Sequence, residues 1–186
     1  MDGNQFEEIF KNGFMSVERH IHTGFTIVRS SDAVAVLILI KNRGILLIEQ
    51  CRPALISNEN PNGILIEAVA GRFDVTLSPI ELIKKEVEEE VGGIIRDNQI
   101  LFLNDGIPLA VSAGINTEKI YLAYAEIEES QIEQTERIFG HAEEGEKIKR
   151  LFISIDEFKK MKFNDMKTFA LSQWFLREYE TGRLIQ

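Results

Sequence analysis

A single cysteine, Cys51, in a chain of 186 residues excludes an internal disulfide and any thiolate-rich metal cluster, and it suits a reducing compartment. Three histidines, His20, His22 and His141, leave little material for a zinc site. Basic residues are in deficit, with 21 Lys and Arg against 30 Asp and Glu and a formal net charge of −9. A surface of that sign repels polyanions, so sequence-independent binding to nucleic acid or to an anionic membrane is excluded. Long apolar runs are missing as well. The most apolar stretch, Ala33–Ile40, has eight residues, well short of the roughly 20 that cross a bilayer as a helix. Residues 1–11 are acidic and lack the basic start and apolar stretch of a secretory signal, which points to a cytoplasmic protein.

What is present is 44% apolar residue, enough for a real core, with no repeat or Pro/Gly-rich linker to divide it. We read an N-terminal arm over 1–32 and one domain over 33–186. Alternating apolar positions in 22–28 predict one or two short strands in the arm. Segments 33–40 and 45–50 are rich in Val, Ile and Leu and flank a polar stretch ending in Gly44, a hairpin signal. Further strands are expected at 63–69, 100–103, 119–127 and 149–153. The strongest helix signal covers 78–91, where Ser78 can cap, Pro79 suits the first helical position, Glu81 completes a capping box and Gly92-Gly93 stops the helix. Two more helices are expected at 155–162 and 166–180, the latter with Phe169, Trp174 and Phe175 turned inward. Strands mixed with a few helices make an α/β fold with a mixed sheet.

On the 78–91 helix, Ile80, Ile83, Val87 and Val91 form one apolar stripe at 100° per residue. Glu86, Glu89 and Glu90 share the arc beside it, with Glu90 nearest the core, while Glu88 lies on the far side. Crowded carboxylates repel one another and repel more strongly at a buried edge. Either this is a solvated acidic face, or it is half of a site for a hard divalent cation that takes oxygen ligands. An acidic protein acting on an anionic substrate needs such a cation as intermediary.

The stretch from Gly71 to Gly93 resembles the signature of the Nudix hydrolases, in which Gly, five residues, Glu, seven residues, and Arg-Glu-apolar-x-Glu-Glu-x-Gly-apolar follow in order. Gly71, Glu86, Val87, Glu89, Glu90 and Gly92 match in register, whereas Leu77, Lys85 and Gly93 replace the first Glu, the Arg and the last apolar residue. Neighbouring segments resemble the ADP-ribose and nucleoside diphosphate sugar pyrophosphatase branch of that family. They are Glu49-Gln50-Cys51-Arg52, the Glu67 ahead of Ala70-Gly71, the loop Ser112-Ala113-Gly114 to Glu118 with Ala113 where Pro is usual, and the acidic loop with Glu143, Glu144 and Glu146.

The resemblance implies a Nudix-like α/β/α sandwich. It also implies Mg²⁺- or Mn²⁺-dependent hydrolysis of the diphosphate of a nucleoside diphosphate sugar such as ADP-ribose or GDP-mannose. It assigns metal ligation to Glu86, Glu90, Glu146 and the Ala70 carbonyl, and proton transfer to Glu144, with Glu89 adjacent and Glu143 in reserve. Arg52, Glu67, Ser112 and Gly114 would bind substrate, and the arm would join a homodimer. The departures at Leu77 and Lys85 keep open an alternative, a nucleotide-binding domain with little or no turnover. Cys51 beside a strand is expected to be a small buried residue, Trp174 a core or dimer contact, and His141 exposed.

Overall fold

The computed structural model describes residues 5–13, 15–73, 76–140 and 146–184. The arm holds three antiparallel strands, β1 (Phe6–Asn12), β2 (Met15–His20) and β3 (Thr26–Ser30), which form a sheet of their own. The sequence signal gave one or two strands here. It missed β1 because Ile9 and Phe10 are consecutive rather than alternating, and the register shifts between Glu8 and Phe10.

The main sheet is built on β4 (Ala33–Ile40) and β5 (Gly44–Cys51), joined by the expected hairpin. Gly44 takes φ 118°, and a Cβ there would stand 2.2 Å from the Ile153 carbonyl oxygen, so only glycine fits the turn. The following segment is not one strand over 63–69 but two, β6 (Ile64–Glu67) and β7 (Val69–Arg72). The hairpin pairs only over Ile38–Ile40 and Gly44–Leu46, after which its strands diverge. β6 then continues the ladder on β5 while β7 continues it on β4, and the chain crosses between them at Ala68. An apolar run read as one strand is thus shared between two partners.

Beyond β7 come α1 (Pro79–Val91), β8 (Ile100–Phe102), β9 (Leu109–Ala110), β10 (Lys119–Ile127), β11 (Lys149–Ile153), α2 (Ile155–Phe158) and α3 (Met166–Glu180). The sheet runs β11-β5-β4-β10-β8, with β9 added on β10, and β10 pairs with β4 in parallel along their length. Val34, Val36, Ile38 and Ile40 of β4 join the core under α1, whereas Ala33, Ala35 and Leu37 join the core under α3 with Phe158, Leu171 and Phe175. Strands buried on both faces read as continuous apolar runs, which is why β4 stood out. The result is an α/β fold with helices on both sides of a mixed sheet.

α1 forms as its signals predict. Ser78 Oγ accepts from the Glu81 N–H, Glu81 Oε2 accepts from the Ser78 N–H at 2.8 Å, and Gly92 closes the helix at φ 63°. Leu82 joins Ile83, Val87 and Val91 in the core, each side chain contributing about 1.5–3 kcal/mol on burial, while Ile80 is only half-buried. α2 is shorter than the expected 155–162, because the chain tightens after Phe158 into three-residue turns, Lys160 N–H donating to the Glu157 carbonyl and Met161 N–H to that of Phe158. On α3 the buried line is Thr168, Leu171, Ser172 and Phe175. The small Thr168 and Ser172 sit at the contact, so Phe169 is turned outward, 51% exposed, contrary to the inward orientation expected of it. Trp174 is half-buried against Tyr124 in the core under α3. Cys51 is exposed at the end of β5, not buried as expected, because β5 has outrun the layer that covers it.

The same capping box recurs at Ser154 and Glu157 of α2. Ser78→Ala should lower stability by about 1 kcal/mol and Tm by about 2–4 °C, since the 13-residue α1 carries one core layer. Ser154→Ala on the four-residue α2 should cost less than half as much. Chemical denaturation of both variants checks the ranking, and equal losses would contradict it.

Candidate active site

The divergence of β4 and β5 opens a cleft of about 700 Å³ at the strand ends. Its lining includes Arg52, Ala70, Gly71, Arg72, Lys85, Glu86, Glu89, Glu90, Glu118, Glu146, Asp165 and Lys167. One face of α1 reaches it because that helix lies directly on β7. A Cβ on Gly71 would stand 2.0 Å from Glu86 Cδ, so the absence of a side chain at Gly71 makes the room for that carboxylate. Glu90 is buried, and its Oε2 accepts the Ala70 N–H at 3.2 Å. Lys85 Nζ lies 3.1 Å from Glu89 and 3.9 Å from Glu86. Glu88 points to solvent.

Burial pushes the Glu90 carboxyl well above the usual range, and the charge on Glu86 pushes it further, against the Ala70 hydrogen bond and the Arg52 charge. A group of oxygen donors that repel one another at a buried edge is chemically suited to a hard divalent cation, which removes both penalties. Among the described residues, no three His, Cys, Asp or Glu side chains form a ready-made cation cage. Glu143 and Glu144, together with His141, lie outside the described residues.

The opposite wall is a charge network around Glu67, which has no exposed surface. Arg52 Nε donates to its Oε1 at 2.7 Å, and Lys167 Nζ donates to its Oε2. Lys167 also donates to Asp165 Oδ1 at 3.0 Å, and Asp165 caps α3 by accepting from Thr168 N at 2.9 Å. Burial opposes the charge on Arg52, but Glu67 outweighs it and holds the guanidinium protonated.

Of the residues singled out in the sequence, Glu86, Glu89, Glu90, Glu146, Ala70 and Arg52 meet in this cleft. Glu67 does not line it and reaches it only through Arg52 and Lys167, a correction to the reading of Glu67 as a substrate contact. Ser112 and Gly114 do not line it either, although Val111 and Glu118 on either side do. Their turn faces the arm, where Val28 N–H donates to the Ile115 carbonyl and Ser30 Oγ to Asn116 Oδ1.

Two departures from the signature have local reasons. Leu77 packs on the core under α1, and a Cβ on Gly93 would stand 2.8 Å from Val87 Cγ1.

Arg72, Asp165 and Lys167 went unread in the sequence. One signal was available, because Lys167 in the first turn of a helix opposes the macrodipole and needs another reason to be there.

No family model matches the chain. It is 34% identical over 126 residues to a GDP-mannose pyrophosphatase of Cronobacter sakazakii, covering 61% of this chain and 63% of that protein. It is 35% identical over 103 residues to a GDP-mannose pyrophosphatase of Enterobacter sp., covering 55% of this chain and 51% of that protein. The chain thus spans between half and two thirds of the length of these relatives.

Glu90 supplies a test that needs no substrate. A carboxyl raised on folding leaves the native state more protonated than the unfolded one, so stability is lost as pH rises from about 4.3 through the folded value. In chelator at pH 8, Glu90→Gln should therefore melt above the parent, and the gap should close near pH 4. Thermal melts at the two pH values decide it, and a variant less stable at pH 8 would contradict the reading.

Proposed function

We propose that this chain is a divalent-cation-dependent hydrolase of nucleoside diphosphate sugars, of Nudix type, with GDP-mannose the first substrate to try. The observation that carries the reading is the meeting, in one cleft, of the Glu86, Glu89 and Glu90 face of α1 with Glu146 and with the cationic wall of Arg52 and Lys167. The 34–35% identity to two GDP-mannose pyrophosphatases supports the choice of substrate.

Glu86, Glu90 and Glu146, with the Ala70 carbonyl beside them, would hold Mg²⁺ or Mn²⁺, which when bound neutralises phosphate charge and acidifies a water. Arg52 binds and orients a phosphate of the substrate, and Arg72 also lines the cleft. Water adds to one phosphorus as the bridging P–O bond breaks, giving a nucleoside monophosphate and a sugar phosphate. Glu144 takes the proton of that water, with Glu143 in reserve, and Glu89 borders the reacting groups. Lys85, 3.1 Å from Glu89, tempers the charge of the acidic face where the signature carries Arg.

A homodimer through the arm belongs to the same proposal. Phe10 and Phe25, 52% and 54% exposed, are large apolar residues left uncovered there. No described helix is long and apolar enough to cross a membrane, and a cytoplasmic location fits the composition.

The second reading, a nucleotide-binding protein without turnover, is favoured by Leu77, which offers the core a hydrophobic contact in place of a carboxylate. One assay separates them. Purified protein with Mg²⁺ or Mn²⁺ is given GDP-mannose, ADP-ribose, UDP-glucose and a nucleoside triphosphate, beside Glu86→Gln and Glu90→Gln. We expect turnover of a diphosphate sugar, reduced about 100-fold or more in each variant, as loss of several kcal/mol of charge stabilisation implies. Saturable binding without product would establish the second reading.

A further inference from the structure

We propose that Lys167, on the first turn of α3, is a positioning residue that holds the Arg52 guanidinium in the orientation it presents to the substrate diphosphate. The inference rests on the reading of the cleft as a nucleoside diphosphate sugar site. Lys167 acts through Glu67, whose two carboxylate oxygens are divided between the two cations.

The geometry leaves Arg52 half engaged. Its Nε is bound to Glu67 at 2.7 Å, and no hydrogen bond to a described residue engages Nη1 or Nη2. Those are the atoms of the planar fork that matches a phosphate. A guanidinium held at one nitrogen keeps its direction only if the accepting carboxylate is itself fixed.

Lys167 fixes that carboxylate and is fixed in turn. Asp165 Oδ1 accepts from Lys167 Nζ at 3.0 Å, and Asp165 Oδ2 accepts from Thr168 Oγ1 at 2.5 Å. Thr168 Oγ1 accepts the N–H of Ala68 at 2.9 Å, and Ala68 follows Glu67 in the chain. The contacts close a ring from Glu67 through Lys167, Asp165, Thr168 and Ala68 back to Glu67. The ring joins α3 to the point where β6 passes into β7, a sequence separation of 100 residues.

A fold staple alone does not account for a lysine here. Its charge opposes the helix macrodipole, its long side chain loses rotamer freedom, and Thr168 already ties α3 to Ala68. What the ammonium adds is a second cation on a fully buried carboxylate, at the edge of the cleft that its first cation, Arg52, also lines.

The test compares Lys167→Met, Arg52→Met and the double variant in steady-state kinetics with GDP-mannose and Mg²⁺, beside NMR of the Arg52 Nε–Hε group in ligand-free protein. Lys167→Met should raise KM roughly tenfold with kcat within about threefold, the loss expected when one phosphate contact loosens. The double variant should be no worse than Arg52→Met, because Lys167 has no effect without Arg52. The Arg52 Hε signal, assigned by its absence in Arg52→Met, should exchange slowly in the parent and be lost in Lys167→Met. Lys167→Arg should restore both.

If Lys167→Met fails to fold, Lys167→Gln keeps Glu67 intact and a neutral donor beside it, and its Arg52 Hε should exchange faster than in the parent. An unchanged Hε signal, or kinetic effects that multiply in the double variant, would overturn the proposal. Absence of turnover in the parent would overturn the function reading instead, and the Hε signal would still decide the role of Lys167.

Discussion

A carboxylate with no exposed surface demands cations, and the demand made by Glu67 organises the cleft. It sits where β4 and β5 have parted and the chain passes from β6 to β7, a point with no regular ladder to lean on. An unpaired buried charge there would cost several kcal/mol, so Arg52 from the end of β5 and Lys167 from α3 are both drawn to it. Three distant segments are thereby held around one opening. The cationic wall of the cleft is a consequence of how the sheet divides.

The acidic wall follows a different logic. Helix propensity, capping and an apolar stripe place α1 on β7, and the spacing of Glu86 and Glu90 then brings both carboxylates to the strand edge beside Gly71. Lys85 offsets part of the charge on Glu86 and Glu89, while burial and the Glu86 charge still act against an ionised Glu90. Stability favours apolar residues at such an edge, so the carboxylates answer to something outside the helix. Across the cleft, Arg52 and Lys167 are balanced by Glu67 and Asp165, so the two walls differ in how their carboxylates are satisfied.

Local signals were legible wherever one element set its own terms. The capping box and stop of α1, the bounds of β10 and β11, and the hairpin at Gly44 could be read because turn chemistry and periodicity are local. The acidic face of α1 was legible for the same reason, since helical spacing alone puts Glu86, Glu89 and Glu90 together. The split at Ala68 was not legible, because both strands share one apolar run and only their different partners separate them. Phe169 was misread because the contact with the sheet selects small Thr168 and Ser172 over a large ring.

By itself, the sequence determined the two-sided core strands, the capped acidic helix and the shortage of thiols and imidazoles beside an excess of carboxylates. Periodicity, turn residues and composition act within a few residues, and they carry that information without any knowledge of the fold. Tertiary structure alone decided that Glu67 serves the cleft from behind rather than lining it. It also decided that the Ser112 to Gly114 turn faces the arm, and that Lys167 stands beside Arg52. Those outcomes depend on which distant segments a dividing sheet brings together, and sequence separation holds no measure of that distance.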